Sequence, residues 1–131
     1  MMYVLRLDMT QPAWIVQTYE DRRGQDVILA FLKDLNRTGR GKATSKIIKS
    51  IHLLRDNGFT LPDDIVRKLR GDLWELRATY QRDPYRILFY NPRGRILVLL
   101  HILHKKENAI REGDILKATT RMDDDRRRRG F

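Results

Sequence analysis

A chain of 131 residues with 41% apolar content has the length of one domain and enough apolar surface to build a core. It carries 27 Lys and Arg against 17 Asp and Glu, a formal net charge of +10, which favours an acidic partner and most simply nucleic acid. The absence of cysteine rules out disulfides, Cys-ligated zinc and a Cys nucleophile. The three histidines, His52, His101 and His104, show no zinc-type spacing.

No run approaches the roughly 18 apolar residues of a membrane span, and the N-terminus lacks the basic and apolar regions of a secretory signal. The expectation is a cytoplasmic protein with no membrane partner. Residues 1–11 read as an extension, with Tyr3, Leu5 and Leu7 alternating as in a short strand. Ala13–Tyr19 is rich in β-formers and predicts the first strand, followed by a polar turn over Glu20–Gly24.

Asp26 is placed to cap a helix running to about Asn36, with Ile28, Phe31, Leu32 and Leu35 at helical spacing. Gly39 and Gly41 break it. A second helix is predicted over Ala43–Asn57, with Ile47, Ile48, Ile51 and Leu54 as its buried stripe and Lys42, Lys46 and Lys49 off that stripe. Asn57-Gly58 stops it, and the two helices form an antiparallel hairpin. His52 sits beside the stripe and reads as a packing or surface residue.

Leu61-Pro62 opens a connector. Strands are predicted over Leu73–Tyr80, Tyr85–Tyr90 and Arg95–Leu103, with turns at Asp83-Pro84 and Asn91–Gly94, giving an antiparallel meander. The last of these is apolar on both faces, as expected of a central strand. A third helix is predicted over about Asn108–Arg121, with Ile115, Ala118 and Met122 on one face. The block at residues 123–131 reads as a flexible charged tail.

Alternation along a strand puts Leu73, Glu75, Arg77 and Thr79 on one face, expected to be open, and Trp74, Leu76, Ala78 and Tyr80 on the core face. Arg86 interrupts an apolar strand and must reach either water or an anion. Lys105 and Lys106 follow the last strand. Convergence of Arg77, Arg86, Lys105 and Lys106 would make a phosphate site.

Such a site, without metal ligands, suits RNA cleavage by the RNA's own 2′-hydroxyl, in which positioned cations stabilise the charge of the phosphorane. Glu75, His101 and His104 are the candidates for proton transfer. The two histidines fall on opposite faces of a regular strand. Arg67, Lys68, Arg70 and Arg82 are further candidates for RNA contact. A plain surface ion pair remains an alternative for Glu75 and Arg77.

The order strand, two-helix hairpin, three-stranded meander, helix resembles the RelE/ParE toxin superfamily, in its HigB-like, phage Gp49-like branch. The local patterns that carry the resemblance are Phe31–Leu35, Lys68–Arg77, Tyr85-Arg86-Ile87 and Leu99–Lys106, within similarity over about Trp14–Arg121. It implies an α+β RelE-like domain over residues 1–131, with the strand and helix hairpin packed on an antiparallel sheet of about four strands and a C-terminal helix.

The resemblance also implies a type II toxin that cuts ribosome-bound mRNA without metal or cofactor. The implied partners are a helix-turn-helix, HigA-like antitoxin, the ribosome and mRNA. Glu75, Arg77, Arg86, Lys105 and Lys106 match the site positions of such toxins. Leu103 stands where relatives often have an aromatic residue, and Ala109-Ile110 where they often have Thr-Pro. No late tyrosine matches, which leaves the general acid unassigned. Other readings are a ParE-type gyrase poison and a non-catalytic basic adaptor.

Overall fold

The computed structural model describes residues 13–104 and 109–131. The elements in chain order are β1 (Ile15–Thr18), α1 (Val27–Arg37), α2 (Gly41–Asn57) with a 3-10 turn (Gly58–Thr60), β2 (Val66–Arg70), β3 (Leu73–Tyr80), β4 (Asp83–Tyr90), β5 (Ile96–His104) and α3 (Glu112–Arg129). The five strands form one sheet in the order β1-β5-β4-β3-β2. The expected α+β architecture is present.

The Asp26 side chain accepts from the backbone N–H groups of Ile28 and Leu29, a cap of the kind that contributes about 1 kcal/mol to a helix. Ile28, Leu32 and Leu35 of α1 and Ala43, Ile47 and Leu54 of α2 pack on one face of the sheet, against Leu76, Ile87, Phe89, Leu97 and Leu99. The stripe of α2 runs through residues 43, 47, 50 and 54, so Ile48, expected inside, lies a third of a turn away and is exposed. Gly58 ends α2 at φ 55. A Cβ there would lie 2.1 Å from the Trp14 indole, so this contact admits only glycine.

Four features depart from the sequence expectation. The connector before β3 contains an additional edge strand, β2, antiparallel to β3, giving five strands rather than four. The sheet is mixed, because β1 pairs with β5 in parallel (Ile15↔Ile96 to Thr18↔Leu99). The first meander turn is the two-residue loop Gln81-Arg82, not Asp83-Pro84, which begins β4. Both loop residues take positive φ (49 and 67), the geometry that matches a tight hairpin to the twist of its strands.

The fourth departure is the C-terminal charge block. It is helix, not tail: α3 runs on to Arg129 and is closed by Gly130 in the left-handed conformation. Ile115, Ala118 and Met122 cover Leu73, Leu88, Tyr90, Val98 and Leu100 on the second sheet face. Beyond them the Tyr19 hydroxyl donates to Asp124 (2.6 Å) and the Tyr90 hydroxyl to Asp125 (2.5 Å). Arg128 and Arg129 pair back one turn to Asp124 and Asp125 at 2.7 Å each.

With both faces covered, the face of β3 expected to be open is largely closed: Glu75 is 1% exposed, and so is Arg86 on β4. Residues 1–11, Lys105, Lys106 and Asn108 lie outside the described residues. Among those described, no helix is long and apolar enough to cross a membrane.

Candidate functional site

Cross-strand register assembles the site. Arg67 of β2 is paired with Glu75 of β3, and Arg77 of β3 with Arg86 of β4, in neighbouring rows of the α3-side face. Glu75 therefore has a guanidinium on each side. Arg67 Nε donates to its Oε2 at 3.3 Å, while Arg86 Nη1 and Arg77 Nε stand 3.6 and 3.8 Å from its Oε1. Among the described residues Oε1 accepts no hydrogen bond, so its pairing with Arg86 and Arg77 is coulombic.

Exposure separates the roles. The Arg67 and Arg77 side chains are 43% and 30% exposed, against 2% for Arg86 and 1% for Glu75. Burial holds the Arg86 guanidinium below its ordinary pKa. Glu75 opposes that shift, while Arg77 and Arg67 add to it. An arginine nonetheless remains protonated. The result is one closed carboxylate and three guanidinium groups, with two of those groups able to present N–H donors outward.

The structure thus brings together Glu75, Arg77, Arg86 and Arg67. It does not bring the histidines to them. His101 lies in the same row as Glu75, but Leu88 stands between them, which puts their backbones about 10 Å apart at the usual strand spacing. Its Nε2 bonds Asp114 of α3 at 2.7 Å and its Nδ1 meets Arg121 at 3.2 Å. Burial pushes its pKa down, against the opposing pull of Asp114. His101 is a joint between sheet and helix.

His104 is on the opposite face, as alternation required. It stacks on Tyr85 with ring centroids 4.6 Å apart and is bonded to Asp83.

The remaining candidates scatter. Lys68 faces the helix hairpin, with its ammonium 5.0 Å from the Trp74 ring centroid. Arg70 lies beyond a register shift in β2 and makes a bidentate pair with Glu112 at 2.7 and 2.8 Å. That pair raises the Arg70 pKa and lowers that of Glu112. Arg82 occupies the β3–β4 loop.

Sequence reasoning missed the anchoring of His101 by Asp114 and Arg121, for which no local pattern exists. It also missed Arg40 and Lys42, which flank a cavity beneath the β3–β4 loop.

The family of phage-derived Gp49-like proteins (DUF891) matches residues 30–123 of the 131, from α1 into α3 and across the whole guanidinium cluster. No curated protein matches the chain.

Proposed function

The chain belongs to the Gp49-like family of RelE/HigB-like toxins, and from that premise we propose that it is an mRNA endoribonuclease acting on the translating ribosome. As a toxin of toxin–antitoxin type it has an antitoxin as partner; a helix-turn-helix antitoxin of the HigA kind fits that role. The observation that carries the nuclease reading is the pair of outward guanidinium groups, Arg67 and Arg77, set on either side of the buried Glu75 carboxylate.

Arg67 and Arg77 supply donors to the phosphate between two nucleotides. The 2′-oxygen attacks phosphorus and the bond from phosphorus to the 5′-oxygen breaks. The products are a 2′,3′-cyclic phosphate and a 5′-hydroxyl, and the 2′-proton is carried to the leaving oxygen. Charge on the phosphorane is greatest midway, where fixed cations stabilise it most. Glu75 and Arg86 act beneath as positioning residues, since neither reaches the surface. Lys105 and Lys106 remain candidates for the same phosphate.

The test is expression from a tight promoter with mapping of mRNA 5′ ends, alongside Arg77→Ala. New ends within translated frames, lost in the variant, are expected. Growth arrest without new ends would mean a gyrase poison, and normal growth a non-catalytic basic module.

A further inference from the structure

A cavity among the described residues lies on the other side of the sheet from Glu75. It measures about 740 Å³ and opens between the α1–α2 connection, at Gly39–Ala43, and the β3–β4 loop, at Tyr80–Asp83. Three cations line it, Arg40, Lys42 and Arg82, with one carboxylate, Asp83. That carboxylate is shared with His104 and lies 3.9 Å from Arg40. The Lys42 and Arg82 side chains form no ion pair or hydrogen bond with any described residue. Tyr80 offers a half-buried ring at the same wall.

A basic path connects this cavity to the guanidinium cluster. The edge strand β2 pairs with β3 only as far as Leu76, and the Arg77 N–H donates to the Ile65 carbonyl just before β2, so the outer edge of β3 from Ala78 to Tyr80 has no strand beside it. Along that edge a second, smaller cleft of about 290 Å³ is lined by Arg77 and Thr79 on one side and Lys46 and Ser50 on the other, with the Asp64 carboxylate beside the two cations. Lys46 stands one helical turn from Lys42, on the same side of α2. Arg86 lies three residues into β4 from Asp83, about 10 Å at strand rise, and Arg82 is the loop residue that precedes Asp83.

We propose that the cavity between the α1–α2 connection and the β3–β4 loop is a nucleotide-binding subsite. It takes one unpaired nucleotide of an RNA strand that reaches it around the free edge of β3, with phosphate among Arg40, Lys42 and Arg82 and the base on Tyr80. The inference rests on the RNA-cutting reading for the source of that strand. Its chemistry requires a phosphate and an aromatic base, which cations and a tyrosine ring recognise without regard to sequence.

The test is an NMR titration of the ¹⁵N-labelled full chain with adenosine 3′,5′-bisphosphate, with inorganic phosphate as a second arm. Saturable shifts are expected at the amides of Gly39, Gly41 and Arg82, and phosphate alone should bind more weakly. Lys42→Ala combined with Arg82→Gly should weaken binding about tenfold or more. Arg126→Ala, which opens the ion pair with Asp72 on the α3 side, should leave it unchanged. Arg82→Gly relieves the positive φ of the loop, so lost binding cannot be put down to unfolding.

Shifts confined to residues around Arg67 and Arg77, or equal affinity for inorganic phosphate, would overturn the subsite and leave the nuclease reading standing. Saturable shifts at the loop in a chain that makes no mRNA cuts would retain the nucleotide site and remove the nuclease.

Discussion

Arg86 and Glu75 make the sharpest case for reading burial before chemistry. If Arg86 faced solvent, Arg86→Ala would remove activity and leave stability untouched. Its actual environment predicts otherwise. At 3.6 Å, and with an effective dielectric constant near 20, Glu75 attracts the Arg86 guanidinium by about 4–5 kcal/mol.

The two single variants are not equivalent. Arg86→Met leaves Glu75 with Arg67 and Arg77 as partners, whereas Glu75→Gln leaves the buried Arg86 cation near two like charges. Glu75→Gln should therefore cost about 3–5 kcal/mol, the loss typical when one partner of a buried ion pair is removed, and Arg86→Met distinctly less. The double variant should recover part of the Glu75→Gln loss, because the buried cation that faced Arg67 and Arg77 is gone. Urea titration at constant m-value reads all three. Should Glu75→Gln unfold within about 1 kcal/mol of the parent, Glu75 is not the counter-charge and the account of the site fails.

Arg77→Ala should lower mRNA cutting by about a hundredfold or more while changing stability by less than about 1 kcal/mol, as primer extension and urea titration would show together. His101, neutral in its buried setting, has a folded pKa below the unfolded value near 6.5. The unfolded chain thus takes up the proton first, and stability should fall as pH drops from about 6.5 through the folded pKa. His101→Asn should flatten that slope in melts across pH and keep the sites of cutting. Gly58→Ala forces a Cβ into the Trp14 indole at a positive φ and should cost about 2 kcal/mol or more by urea titration. Arg82→Gly should raise stability by about 1 kcal/mol, since glycine meets no Cβ penalty at φ 67.

Much of this structure was written locally. Asp26 as cap, the apolar spacing of α1 and the Asn57-Gly58 stop give the helix hairpin, and the alternation of Leu73–Tyr80 puts Glu75 and Arg77 on one face. What escaped depends on partners far along the chain. Val66–Arg70 is three-fifths basic and shows its strand character only through its pairing with β3. Asp124 and Asp125 sit in a block of charge that resembles solvated tail until Tyr19, 105 residues earlier, and Tyr90, 35 residues earlier, supply the hydroxyls that dock it.

The site divided along the same line. The grouping of Glu75, Arg77 and Arg86 followed from strand register, but their depth did not, because α3 covers that face through contacts the local pattern never encodes.

The parallel pairing of β1 with β5 carries a consequence for how the chain is made. β1 leaves the ribosome before its partner, which follows only about 80 residues later, so one edge of the sheet stays open until β5 is made. Arg86 sits on β4, whose inner neighbour is that same late strand. A nascent chain stopped before β5 has its helix hairpin and its basic residues, but nothing to hold the guanidinium groups around Glu75 in fixed geometry. Stalling or truncation before residue 96 should therefore release a cationic, unassembled fragment rather than a weakened form of the folded protein.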